Sequence, residues 1–163
     1  MKFATSYFYQ IRNFKPNMIP ISTAMSDPEW FRPKDDKEYY IDKRGIICGL
    51  RYEPLIVQTY GQYSCNGPEQ CWYANADLRD PLGNECQCPT MQEYRYLLET
   101  YVDKDKLYKA FDHCAKMFKI EDPIFVLMVY EAPTNPCSER LGLQQFFNCK
   151  ELEYPIGENY GIR

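Results

Sequence analysis

The chain has 163 residues, of which 45% are hydrophobic, and its formal net charge at pH 7 is −4. A chain of this length is typical of a single domain, here residues 1–163, that buries its own core without disulfides or metals as supports. The mildly acidic balance argues against a general nucleic-acid scaffold, because such proteins bind phosphates with clustered Lys and Arg.

Three short apolar runs predict buried strands. They are "MIPISTA" (18–24), "PLIVQT" (54–59) and "PIFVLMVY" (123–130), and each is bounded by Pro, Asn or Asp. The last run is apolar nearly throughout, which is typical of a central strand that is covered on both faces.

Helical periodicity predicts three helices. The first covers "TMQEYRYLLETYV" (90–102), whose opening residues have the spacing of a capping box. The second begins at Asp103 and carries an apolar stripe. The third, 136–147, directly follows the 123–130 strand, with Asn135 as its N-cap and Pro136 at its first position.

A strand that leads into a helix through a short Pro-containing turn is the βα unit of α/β folds. The sequence therefore predicts an α/β fold, a compact sandwich with a mainly parallel central sheet and helices on both faces. In such folds, ligands gather outside the carboxyl ends of the strands. We expect a pocket where the 123–130 strand meets the 136–147 helix.

The amino-terminal sequence lacks the apolar core of a signal peptide, and no run of about 18 apolar residues predicts a membrane span. We therefore expect a cytoplasmic protein with no membrane partner. In a reducing compartment, cysteines bind metals or catalyse reactions more often than they form disulfides, and this guides the interpretation of the eight cysteines.

Residues 61–89 are poor in aliphatic side chains, and we interpret them as a loop-rich insertion within the domain. Four thiolates from one segment can bind a structural zinc ion and so order a loop that has no core of its own. Disulfides and free thiols are the alternatives, because the spacing departs from the usual zinc motifs. The single histidine, His113, is interpreted as a surface residue and not as a ligand. The four candidate ligands are Cys65, Cys71, Cys86 and Cys88.

Cys137 lies in the first turn of the predicted third helix, where amide groups and the helix dipole favour a thiolate or a bound anion. Arg140, one turn along, could stabilise the same negative charge, and Ser138, which lies between them, is a candidate ligand-binding residue of the same pocket. The alternative is that Cys137 only packs against the sheet, since free cysteine is among the most buried residue types.

Further candidates lie in "TSYFYQIRNF" and "ISTAMSDPEWF", which each place hydroxyl side chains just before or after a strand-like stretch. Ser6 and Ser22 could supply polar groups to a shared pocket, and Tyr7 and Trp30 could line it. The alternative roles are helix capping for the serines and core packing for the aromatic residues.

Four segments resemble the DUF488 family in the same order along the chain: "TSYFYQIRNF", "IPISTAMSDPEWF", "CGLRYEPLIV" and "VLMVYEAPTNPCSER". The resemblance extends from about Phe3 to Phe147, and it implies a compact α/β sandwich in an intracellular protein. Many family members have Cys-His-Arg where this chain has Cys-Ser-Glu-Arg, so a Cys–His base mechanism is not carried over. The pocket residues that the resemblance implies are Thr5, Ser6, Tyr7, Ser22, Trp30, Tyr130, Glu131, Cys137 and Arg140.

The sequence supports two functional hypotheses. In the first, the domain binds or acts on an anionic small molecule, phosphorylated or nucleotide-like, with Cys137 and Arg140 as the reacting or anion-binding residues. In the second, the chain is a non-enzymatic module whose zinc-stabilised insertion contacts a protein or nucleic acid through Trp72 and Tyr73. The sequence makes no prediction about the oligomeric state.

Overall fold

The computed structural model describes residues 1–59, 89–134 and 138–157. Its strands, numbered in chain order, are β1 (Lys2–Tyr7), β2 (Met18–Ser22), β3 (Tyr40–Ile41), β4 (Ile47–Cys48) and β5 (Ile124–Val129). One sheet has the order β1-β5-β2, with both outer strands parallel to β5, and β3 pairs antiparallel with β4. The predicted parallel sheet and the central position of the 123–130 strand are therefore confirmed.

Among the described residues, three α-helices accompany the sheet: α1 (Pro89–Tyr101), α2 (Lys104–Met117) and α3 (Arg140–Phe147). The same ranges contain three short 3₁₀ helices: η1 (Phe8–Asn13), η2 (Glu29–Phe31) and η3 (Glu53–Leu55). The Asp103 carboxylate caps α2 by accepting hydrogen bonds from the backbone N–H groups of Asp105 and Lys106 at 3.0 and 3.2 Å. The start of the second helix at Asp103 is thus confirmed.

The third helix begins later than the sequence predicts. α3 starts at Arg140, with Glu139 as its N-cap, and not at residue 136. The Ser138 hydroxyl accepts a hydrogen bond from the backbone N–H of Arg140 at 3.2 Å, and this local turn precedes the helix. The proposed capping residues Asn135 and Pro136 lie outside the described residues.

Both faces of the sheet are buried, which explains the apolar sequence of β5. One face packs against the three α-helices through Ile19, Ile21, Phe125, Leu127 and Val129. The other face packs against η1, η2 and the β3–β4 hairpin through Ala4, Met18, Ile124, Val126 and Met128. The α/β sandwich is confirmed, and helices lie on both faces, although those opposite the α-helices are 3₁₀ helices.

The prediction of a strand at residues 54–59 is wrong. Glu53–Leu55 form η3, and residues 56–59 have no regular structure. Pro54 lies in the first turn of that 3₁₀ helix, where its fixed φ and missing N–H do no harm, whereas both disfavour a sheet interior.

The sheet is extended on both edges by single bridges. Ser22 pairs in parallel with Arg51, and its N–H donates to the Leu50 carbonyl at 2.9 Å. On the other edge, Thr5 pairs in parallel with Glu151, and its carbonyl accepts a hydrogen bond from the Leu152 N–H at 3.0 Å. Arg51 therefore lies beside the carboxyl end of β2, and Glu151 lies near the carboxyl end of β1.

Several predicted features fall outside the described residues. They are the insertion from residue 61 to residue 88 with Cys65, Cys71, Cys86 and Cys88, together with Trp72, Tyr73 and Cys137. Within the described ranges, no helix has the length and apolarity that crossing a membrane requires. The same ranges contain no group of three or more His, Cys, Asp and Glu residues that could bind a metal ion.

Candidate functional site

Three buried hydroxyl groups lie at the carboxyl edge of the parallel sheet. Ser6 and Ser22 are in register with Met128, one on each side of it, and neighbouring strands lie about 4.8 Å apart. Thr5 precedes Ser6 on β1 and therefore faces the opposite side of the sheet, toward the α-helices. All three residues are 0% exposed.

The carboxylate of Glu151 is the centre of a hydrogen-bond network beside β1. Its Oε1 atom accepts from Thr5 Oγ1 and from Arg140 Nε, both at 2.8 Å. Its Oε2 atom accepts from the Tyr154 hydroxyl at 2.5 Å. The bridge between Thr5 and Glu151 places the two side chains on the same face, so the backbone pairing brings the network together.

The network continues through two further side chains. Gln144 Nε2 donates to Thr5 Oγ1 at 2.8 Å, and the hydroxyls of Ser6 and Tyr154 lie 2.6 Å apart. Gln144 is four residues after Arg140, so both side chains leave the same face of α3. That four-residue spacing is the sequence signal that indicates Gln144 as a neighbour of Arg140.

Arg140 links the loop after β5 to the edge of the sheet. Its side chain is almost fully buried, and besides Glu151 it contacts two backbone carbonyls. NH1 donates to the Ala132 carbonyl at 3.4 Å, and NH2 donates to the Glu131 carbonyl. The described contacts of Arg140 are with the network and the loop, and Cys137, which we predict beside it, lies outside the described residues.

A second arrangement of the same kind lies beside β2. The Ser22 hydroxyl donates to Asp27 Oδ1, and Arg51 NH1 lies 2.6 Å from the same oxygen. Asp27 is buried, and the bridge between Ser22 and Arg51 places the arginine there. Each outer strand thus carries a buried hydroxyl that is bonded to a carboxylate paired with an arginine.

Carboxyl groups gather where β5 leads into α3. The buried Ser138 hydroxyl donates to Glu131 Oε2 at 3.1 Å, so two of the predicted pocket residues are in contact. Burial, followed by the negative charge of Glu131, raises the pKa of Glu139 to about 7. Glu139 therefore holds a proton in a large fraction of molecules at neutral pH, a property that its sequence position did not indicate.

The aromatic candidates are separated in the structure. The Tyr7 hydroxyl accepts a hydrogen bond from Gln10 Nε2 at 2.9 Å, and its ring packs edge-on against Tyr154 at 5.8 Å. The half-exposed Tyr130 donates to the Ser26 carbonyl at 2.5 Å. Trp30 lies in η2, away from the network around Glu151. It lines a cavity together with residues of η1 and the β3–β4 hairpin.

No family model, curated protein or solved structure matches this chain. The resemblance to the DUF488 family stays a prediction from the quoted motifs. What the structure adds is that the first and last of these motifs, which contain Thr5 and Arg140, meet at the carboxylate of Glu151.

Proposed function

We propose that this chain binds a small anionic molecule, phosphorylated or nucleotide-like, where β5 leads into α3. The observation that supports the proposal is the placement of Arg140, a nearly buried cation at the carboxyl edge of a parallel sheet. Ligands of open α/β sheets bind at this edge. Glu151 and the two loop carbonyls orient the guanidinium there, so its position does not depend on a ligand.

Glu139 is the residue that adapts this site to an anion. Glu151 pairs with Arg140, and the charge of Glu131 acts on Glu139, so a bound anion would be repelled if all three carboxyl groups were ionised. Because the pKa of Glu139 is raised to about 7, the group can keep its proton when an anion binds. A protonated carboxyl is neutral and can donate a hydrogen bond to the anion.

The chemistry that the site could support depends on Cys137, which precedes Ser138 in the sequence. Burial raises the pKa of Cys114 to about 11 and that of Cys149 to about 12, and it also raises the pKa of Cys48. These three thiols are therefore protonated at neutral pH and are poor nucleophiles. We propose Cys137 as the residue that contacts the anion or reacts with it.

Calorimetric titration with AMP, adenosine and inorganic phosphate tests the proposal. We expect AMP and phosphate to bind to the native chain, and we expect Ser138→Ala and Arg140→Lys to lower those affinities at least tenfold, since lysine lacks the planar fork of arginine. Affinity for the anions should fall as the pH rises through 7, because Glu139 then loses its proton.

The control is Arg95→Gln, which removes an exposed arginine of α1 that pairs with Glu99 at 3.3 Å. It should bind both anions as the native chain does. Urea unfolding of each variant shows whether it is folded. Binding of inorganic phosphate by folded Ser138→Ala and Arg140→Lys that equals its binding by the native chain, or no binding of either anion by the native chain, contradicts the proposal.

A further inference from the structure

A cavity of about 390 Å³ lies in the layer that covers the sheet on the side opposite the α-helices. Its volume is within the range of small-molecule sites. It shares no residue with the network around Glu151 or with the loop between β5 and α3. The residues that line it are Tyr9, Ile11, Arg12, Trp30, Tyr40, Asp42, Arg44 and Cys48.

The cavity presents two exposed aromatic rings, and buried neighbours hold the ring of Trp30 in place. Trp30 is 53% exposed and Tyr9 is 57% exposed. The indole of Trp30 packs edge-on against Phe8 and Phe31, with centroid distances of 6.4 and 6.2 Å. Tyr40 adds a hydrogen bond from its hydroxyl to the Trp30 carbonyl. The face of an exposed ring held in this way can stack on a planar ligand at a low cost in side-chain entropy.

Two arginines line the cavity, but only one of them is neutralised. Arg44 pairs with Asp42 at 2.8 Å and donates to the Ile11 carbonyl at 3.0 Å, so it is anchored. The guanidinium of Arg12 lies 3.8 Å from the centroid of the Tyr9 ring, and its Nε donates to the Tyr9 carbonyl at 3.0 Å. Among the described residues Arg12 has no carboxylate partner, so the lining carries one positive charge in excess.

We infer that this cavity binds a small planar aromatic molecule that carries an anionic group, such as a nucleoside monophosphate. The ring stacks on Trp30, and the anion pairs with Arg12, whose guanidinium lies over the Tyr9 ring. Base-sized rings stack well on aromatic side chains, and arginine binds phosphate with a planar fork of donors. This second site does not depend on the function proposed for the β5–α3 junction, because the two share no residue.

The fluorescence of Trp30 reports on this site directly. The chain has two tryptophans, so a Trp72→Phe background leaves Trp30 as the only indole. We expect AMP to quench Trp30 saturably, adenosine to bind at least tenfold more weakly, and inorganic phosphate alone to cause no quenching. In the same background, Arg12→Gln should lower the affinity for AMP to that for adenosine.

Two further variants separate this site from its surroundings. Arg32→Gln removes an exposed arginine that donates to Ser26 at 2.8 Å and does not line the cavity, so it should leave the quenching unchanged. Arg140→Lys should also leave it unchanged, which distinguishes this site from the β5–α3 junction. Equal affinity for AMP and adenosine, an Arg12→Gln variant that binds AMP normally, or no saturable quenching of Trp30 by AMP would overturn the inference.

Discussion

Glu139 occupies a position where burial and a neighbouring charge act in the same direction on one carboxyl group. Burial is the larger effect and the charge of Glu131 adds to it, so the pKa of Glu139 in the folded chain is about 7. In the unfolded chain a glutamate titrates near 4.3. Between these two values the folded state binds more protons, so stability falls as the pH rises and the loss is complete above about 7.

Glu139→Gln should therefore stabilise the chain at high pH. We expect the variant to raise the free energy of unfolding at pH 8 by on the order of 1 kcal/mol, and to change it little at pH 4.5, where the native residue is already neutral in the folded state. Urea denaturation at the two pH values measures this difference. Glu153→Gln, which removes an exposed carboxylate, is the control and should show no such pH-dependent gain. A gain for Glu139→Gln that is equal at both pH values would contradict the assignment.

At the scale of elements, the Arg140–Glu151 pair joins α3 and the chain after it to the edge of β1. Removing one member of a buried ion pair leaves the other charge without compensation. We expect Glu151→Ala to lower the free energy of unfolding by about 3 kcal/mol. Urea unfolding measures the loss.

The matched control for this pair is Glu153→Ala, two residues further along the chain and exposed, which should change stability by less than about 0.5 kcal/mol. The double variant Arg140→Met/Glu151→Leu should lose less than the sum of the two single variants, since no unpaired charge remains. A loss below about 1 kcal/mol for Glu151→Ala would show that the pair is not important for stability.

The elements that could be predicted from the sequence are those with a long or uniform pattern. β5 is apolar throughout because both its faces are buried, and α1 and α2 show helical periodicity together with an aspartate cap on α2. Strands β3 and β4 have two residues each, which is too short for any period to appear. The run 54–59 has strand-like composition, but Pro54 places its start in a 3₁₀ helix.

The sequence predicts only those residues of the candidate site that lie in a recognisable local sequence pattern. Ser6 and Ser22 are predicted because they lie beside strand-like stretches, and Thr5 is implied by the family resemblance. Glu151 was missed because it is 146 residues away from Thr5 and reaches it through a single bridge. Asp27 and Arg51 were missed for a similar reason, since the bridge at Ser22 depends on the tertiary fold.

At the scale of the whole molecule, the described sheet has a packed layer on each face and its own two core clusters. Apolar packing among the described residues therefore stabilises the sheet. Those residues contain no group of three or more His, Cys, Asp and Glu suited to a metal ion. The zinc site that the sequence predicts, in the segment from residue 61 to residue 88, lies outside the described residues.

We predict one zinc ion per chain, bound by thiolates of Cys65, Cys71, Cys86 and Cys88. When zinc orders a segment that has no apolar core, the free energy of zinc binding stabilises that segment. Chelation should therefore speed hydrogen exchange in residues 61–88. The circular dichroism of the sheet and helices should persist. Elemental analysis of protein purified under reducing conditions gives the stoichiometry. Cys71→Ser should lose the metal, and Cys114→Ser, a substitution in α2, should retain it. Protein without stoichiometric zinc, or a Cys71→Ser variant that keeps it, would contradict the prediction and leave disulfides or free thiols as the state of these cysteines.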